Sequence, residues 1–191
     1  MAATKIMVIR HAEKPDATTR GITESGEPSQ QDLTVRGWQR AGALACLFAP
    51  MHGAVQDPRL ARPEYLFASR ASGAEGGVAG IPTRSHRSEE TIRPLAEKLR
   101  IPINVRYSKG QEEDLVRAAM ACGGVVLISW QHEAIRHIAN AILGNQTAPQ
   151  KWPVDRFDLI FVFSLDRTTG KYMFDQVPQC LLAGDRTDGI A

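Results

Sequence analysis

The chain reads as an α/β protein: a three-layer sandwich with a mostly parallel central sheet, helices on both faces and an antiparallel C-terminal hairpin. Three observations predict it. Ile6-Met7-Val8-Ile9 and Val125-Val126-Leu127-Ile128-Ser129 are short, continuous apolar runs, as strands buried on both faces require. Strand-like and helix-like stretches alternate, β then α, four times. Two last strand-like segments then flank Asp166-Arg167-Thr168-Thr169-Gly170, a hairpin turn signal.

Each element has its own justification. Residues 5–10 form the first strand. Residues 34–48 form a helix that Thr34 can cap, with Val35, Trp38, Leu44 and Leu47 at core-facing spacing and Pro50 beyond its end. Residues 65–68 are a short strand. Residues 88–99 are a helix holding Pro94, so a kink or a broken first turn is expected there. Residues 103–107 are a third strand and residues 112–120 a helix. Residues 125–129 are the second strongly buried strand, and residues 132–143 a helix closed by Gly144. Residues 159–165 and 171–176 make the hairpin. The chain is expected to form one domain over residues 1–183, with residues 184–191 a frayed tail.

The composition is that of an ordinary globular chain: 191 residues, 43% apolar and 23% charged. A formal net charge of +2 is too near neutral for a reader of nucleic acid that works through a bulk basic field. Cys46, Cys122 and Cys180 are dispersed and odd in number, which suits a reducing compartment rather than a disulfide framework. Cys46 lies in an apolar helical stretch and reads as a small core residue. The first residues show no signal-peptide core, and no apolar run is long enough to span a membrane. The expectation is a soluble, cytoplasmic protein.

Two long segments lack periodicity, residues 12–33 and 69–84. Both leave the C-terminal ends of strands, the edge where parallel sheets bind ligands. The chemistry-bearing residues gather at the same edge. Arg10 and His11 end the first strand, Arg87 opens the helix after the second, and His132 follows the fourth. A phosphoryl group carries close to two negative charges on its outer oxygens. Two guanidinium forks, an imidazole and a helix N-terminus match that distribution. A neutral His11 can attack phosphorus through one ring nitrogen while a backbone carbonyl holds the proton on the other.

At these residues the chain resembles the histidine phosphatase, or phosphoglycerate mutase-like, superfamily. Arg10-His11-Ala12 stands for its Arg-His-Gly, and Leu33-Thr34-Val35-Arg36-Gly37 for its Leu-Thr-x-x-Gly. Arg87-Ser88-Glu89-Glu90-Thr91 stands for its Arg-Ala-x-x-Thr, and His132 follows the hydrophobic strand as its second histidine does. The likeness spans residues 5–143. It implies that His11 is the phosphorylated nucleophile, that Arg10, Arg87 and His132 complete the phosphate pocket, and that the chemistry needs neither metal nor other cofactor. The implied activity is a phosphatase acting on a phosphomonoester or phosphoamidate. The alternatives are a phosphoglycerate mutase-like phosphotransferase, for which the chain is short, and a non-catalytic phosphate-binding protein. The partner is a small phosphorylated substrate or a phosphorylated protein.

Two departures stand out. Ala12 replaces the family's glycine. The general acid has four candidates: Glu133 directly after the second histidine, ranked first, then Glu112 and Glu113 (with Asp114 beside them), and Glu13. The Glu112-Glu113-Asp114 run also suits a helix dipole. Lys14, Arg84 and His86 are either solvated or ready for a second acidic group, and Trp130 lines the pocket or sits in the core. His132 and His137 are five apart, pointing about 140° from each other on a helix, so a zinc-protease motif is excluded. The glycines of residues 73–80 match no nucleotide-binding spacing.

Overall fold

A computed structural model describes residues 2–71 and 85–191. Its elements are β1 (Lys5–Arg10), β2 (Gly21–Ile22), β3 (Pro28–Ser29), α1 (Val35–Phe48), β4 (Tyr65–Ala68), α2 (Arg87–Leu99), β5 (Ile103–Asn104), α3 (Glu112–Met120), β6 (Val125–Trp130), α4 (His132–Leu143), β7 (Leu159–Asp166) and β8 (Lys171–Pro178). Six strands form one sheet in the order β5-β4-β6-β1-β7-β8. The first four are parallel; β7 runs against β1, and β8 against β7. This is the expected mostly parallel sheet with an antiparallel terminal hairpin.

The two faces of the sheet explain the continuous apolar runs. Successive strand side chains point to opposite faces. Ile6, Val8, Val126 and Ile128 pack with Leu115, Ile135 and Ile138 of α3 and α4. Met7, Ile9 and Leu127 pack on the other side with Leu44 and Phe48 of α1 and Ile92 and Leu95 of α2. With both faces covered, no strand position tolerates a polar residue until the strand ends. The register pairs Arg10 with Trp130 and Ala68 with Ser129, so β1, β4 and β6 finish level.

Several expectations are corrected. The third strand stops at Asn104, because the Asn104 side chain accepts from Arg106 N at 3.0 Å and turns the backbone out of the sheet. Within residues 12–33, β2 and β3 form a small antiparallel pair that periodicity could not reveal in two-residue strands. Val35 is 55% exposed, so the inward stripe of α1 is instead Gly37, Arg40, Ala41, Leu44, Ala45, Leu47 and Phe48. Cys46 lies on the outer face of α1 and is exposed. Helix α2 runs through Pro94 without breaking.

Residues 184–191, expected to fray, are tied down. Asp185 meets Arg40 at 2.7 Å, the Asp188 carbonyl accepts from Arg156 Nη2 at 2.7 Å, and Ile190 exchanges backbone-to-side-chain bonds with Gln176. Tail composition gave no sign of these distant partners. Residues 73–80 and Arg84 lie outside the described residues.

The Leu-Thr-x-x-Gly motif has a mechanical meaning. Thr34 caps α1 by accepting from Gly37 N at 3.1 Å, and Thr34 N donates to the Glu13 carbonyl at 3.0 Å. The first turn of α1 thereby presses on the chain just past His11. A Cβ at residue 37 would lie 2.6 Å from the Glu13 carbonyl oxygen. Gly37→Ala is therefore expected to destabilise by about 1–3 kcal/mol, read as a lowered midpoint in urea unfolding. An unchanged midpoint would mean that α1 and the segment after β1 can separate freely.

Candidate active site

Arg10 is a fully buried guanidinium at the end of β1. Its Nη1 donates to the carbonyl oxygens of Pro153, Val154 and Arg156 at 3.2, 2.7 and 3.2 Å. The Phe157 ring lies under it, 3.8 Å from Cζ. Nε and Nη2 have no partner among the described residues. Burial lowers its pKa to about 10, so the charge persists at neutral pH. A buried cation with two idle donors is a costly arrangement unless an anion completes it.

His11 continues the ladder, its N–H donating to the Trp130 carbonyl at 3.0 Å. The ring is 5% exposed. Nδ1 lies 2.8 Å from the Ala12 carbonyl, which holds the proton there and leaves the lone pair on Nε2. Burial pushes the ring pKa down to about 3, and Arg10, Arg87 and Lys14 push the same way against the Ala12 bond. The imidazole is thus neutral, as a nucleophile must be.

Ala12 is not a strained substitute for glycine. Arg100 and Cys180 are the non-glycine residues with positive φ among the described residues. Ala12 N donates to Thr91 Oγ1 at 2.8 Å, and Thr91 Oγ1 donates to the Arg87 carbonyl at 2.6 Å. That pair of bonds couples the peptide after His11 to the first turn of α2.

Arg87 is the first residue of α2. Its Nη2 donates to the Gln30 carbonyl at 2.9 Å and its Nε has no partner among the described residues. His132 is the first residue of α4. His11, Arg87, His132, Glu133, Gln131, Ser88, Ser85, Lys14 and Lys109 line one cavity of about 100 Å³. Among the described residues no cluster of three or more His, Cys, Asp or Glu is placed to hold a metal ion. No helix among them is long and apolar enough to cross a membrane.

The carboxylates separate clearly. Glu13 is bound by Arg40 at 2.8 Å and Arg36 at 3.2 Å. Glu112 accepts from Trp130 Nε1 and from Gly110 N, both at 3.0 Å, which also places Trp130 in the core. Neither they nor Glu113 line the cavity. Glu133 does. Its Oε2 lies 3.1 Å from His132 Nδ1, an ion-pair distance without hydrogen-bond alignment, and its Oε1 lies 3.3 Å from Lys109 Nζ. The His132 ring holds Glu133 well below the usual carboxylate range, and Lys109 adds to this against the cost of burial.

Three residues went unread in the sequence: Ser69, Ser88 and Gln131. The Gln131 amide lies 2.6 Å from Ser69 Oγ, which lies 3.2 Å from Ser88 Oγ. They sit at the same strand and helix ends as Arg10, Arg87 and His132, which was the one available signal.

A wider groove of about 590 Å³ runs along α2 beside the cavity, lined by Thr23, Glu24, Ser25, Asp32, His86, Glu90 and Arg93. None of His11, Arg87 and His132 lines it; they meet at the smaller cavity. His86 borders this groove rather than the cavity.

The fold belongs to a known class, an α/β sandwich shared with phosphatases, and the resemblance to the histidine phosphatase superfamily holds at the level of that fold. YhfR of Bacillus stearothermophilus superposes with a TM-score of 0.54 at 13% identity, covering 90% of this chain and 95% of that one. A phosphoserine phosphatase of Entamoeba histolytica, solved with 3-phosphoglyceric acid, gives 0.52 at 12% identity over 89% and 94%. A mycobacterial glucosyl-3-phosphoglycerate phosphatase, solved with VO3, gives 0.52 at 14% identity over 91% and 97%. No family model and no curated protein matches the chain.

Glu90, buried on α2, supplies a pH test of the α2 anchorage. Burial raises its pKa to about 8, and the neighbouring Asp32 carboxylate adds to the shift, while the Leu33 N–H at 3.1 Å opposes it. The folded pKa lies above the unfolded value of about 4.3. Stability is therefore fully present below about pH 4 and declines as pH rises toward 8, because the unfolded state releases the proton first. Glu90→Gln is expected to flatten that decline in a series of thermal melts from pH 5 to 8. An unchanged slope would show that Glu90 is ionised in the fold.

Proposed function

We propose that the protein is a phosphatase that hydrolyses a phosphomonoester or phosphoamidate through a phosphohistidine on His11. The observation that carries this reading is the pairing of a neutral, Nδ1-tethered His11 with a buried Arg10 whose Nε and Nη2 are idle. One supplies a lone pair and the other an anion site one residue away. The fold likeness to phosphatases supports the same reading.

In the first step His11 Nε2 forms a bond to phosphorus and the bond from phosphorus to the leaving group breaks. The proton stays on Nδ1, donated to the Ala12 carbonyl, whose oxygen helps carry the imidazolium charge. Arg10, Arg87 and His132 hold the equatorial oxygens, where charge accumulates. In the second step water attacks phosphorus, the bond to Nε2 breaks, and phosphate leaves. Glu133 is ionised and takes the proton from that water. The same ionisation makes it a weak acid for an alkoxide leaving group. Substrates whose leaving group departs without help, an aryl oxide or an amine whose nitrogen already carries the extra proton from solvent, are therefore favoured over simple alkyl phosphates. The substrate is a small phosphorylated molecule or a phosphorylated side chain of a protein, and the reaction draws on no cofactor or metal. Lys14 and Lys109 at the cavity mouth suit an anionic substrate.

Turnover of an aryl phosphate is expected, with His11→Ala no faster than the uncatalysed background. Rapid acid-free quenching should trap phosphate on His11 that is lost in acid. Glu133→Gln is expected to slow kcat by about 10²–10⁴-fold, with the trapped intermediate accumulating. Aryl phosphate turnover that survives in His11→Ala would sink the proposal.

A further inference from the structure

The cavity wall carries a polar side chain that the proposed mechanism does not use. Gln131 precedes His132 and lines the cavity. Its Nε2 donates to Ser69 Oγ at 2.6 Å, and its Oε1 is buried with no partner among the described residues. Ser69 and Ser88, both buried, continue the chain of polar contacts at 3.2 Å to the second residue of α2. The side chain is thus braced from the end of β4 and from α2, with one amide atom left unpartnered by the described residues.

The reverse orientation of the amide suits this contact length. At 2.6 Å it is short for an N–H donor to oxygen, whose usual separation is about 2.9 Å, and ordinary for an O–H donor. The two amide orientations differ only by exchange of oxygen and nitrogen, and hydroxyl hydrogens turn to suit their partners. With the amide turned over, Ser88 Oγ donates to Ser69 Oγ, Ser69 Oγ donates to Gln131 Oε1, and the Gln131 NH₂ group faces the cavity. The idle guanidinium nitrogens of Arg10 and Arg87 are donors of the same kind.

We propose that Gln131 is a phosphate ligand, donating through Nε2 to an outer oxygen of the phosphoryl group, with Ser69 and Ser88 as positioning residues that aim it. The proposal rests on the reading of this cavity as a phosphate pocket. It concerns any tetrahedral or trigonal-bipyramidal oxyanion of that size, so inorganic phosphate and vanadate serve as probes.

Titration of the full chain with inorganic phosphate tests it. Gln131→Leu removes the donor and Gln131→Glu replaces it with a like-shaped acceptor. Both are expected to weaken phosphate binding, by about tenfold for the leucine and by more for the glutamate, as loss of a bond to a charged group implies. Ser69→Ala keeps the amide but frees it, and should weaken binding by a few-fold with KM rising more than kcat falls. A direct reading on the unaltered protein is a vanadate complex, in which the Gln131 amide nitrogen should lie within about 3.2 Å of a vanadate oxygen. Phosphate binding that is abolished by Arg87→Leu yet unchanged in both Gln131 variants would overturn the assignment alone. So would a vanadate complex with that amide turned away. Phosphate binding indifferent to Arg87→Leu as well would overturn the pocket and the assignment with it.

Discussion

The structure turns on keeping a guanidinium charge in the dry end of a sheet. Arg10 follows four apolar residues on β1 and shares their burial. Such a charge needs fixed partners. The Pro153–Phe157 segment provides three carbonyls and an aromatic face, and that segment needs its own support. Trp152 Nε1 donates to the Arg156 carbonyl at 2.8 Å, Arg156 Nε meets Asp158 at 2.7 Å, and Arg156 Nη2 reaches the carbonyl of Asp188. The C-terminal tail thereby stands behind the loop that stands behind Arg10. Truncating the tail would reach Arg10 through this chain, although no tail residue touches it.

The opposite side of the strand end is braced by charge in the same way. Glu13, two residues past His11, meets Arg40 and Arg36, and Arg40 also meets Asp185. Arg40 occupies the inward stripe of α1 where a hydrophobe would normally sit. Burial alone would push Asp185 up, but the hydrogen bonds from Arg40 outweigh it and hold the carboxylate at about 2. A buried ion network contributes less to stability than an apolar core of equal volume, and breaking it by losing one member costs several kcal/mol, on the order of 3–5. What such a network supplies is direction. It admits one arrangement of α1, the tail and the peptide after His11.

The sheet was legible because burial on both faces writes itself into sequence as unbroken apolar runs, and Ile6–Ile9 and Val125–Ser129 are such runs. Arg10, His11 and His132 were legible as candidates because they follow such runs, and Arg87 because it opens the helix after the second strand; His11, Arg87 and His132 share the cavity, whereas Arg10 stands behind it and is not among the residues lining it. Legibility failed where partners are remote in sequence. Asp185, Asp188 and Ile190 look like a frayed polar tail until Arg40, Arg156 and Gln176 are placed beside them. Val35 and Cys46 were misread because helical spacing fixes angles between residues but not which angle faces inward, and the burial of Arg40 rotates the true stripe away from Val35. Ser69, Ser88 and Gln131 carry no motif at all; only their meeting makes them a unit.

The candidates for the general acid were separated by the same competition for partners. Four carboxylates lay near enough in sequence to serve, and sequence could not rank them firmly. Glu13 is spent on Arg36 and Arg40, and Glu112 on the Gly110 backbone and the Trp130 indole, bonds that hold β1 and α3 in place. Glu113 does not reach the cavity. Glu133 is left with a half-exposed carboxylate beside His132 and Lys109, which hold it well below the usual carboxylate range. The carboxylate that the proposed hydrolysis needs as a base is thus the one that the fold leaves free of a structural task.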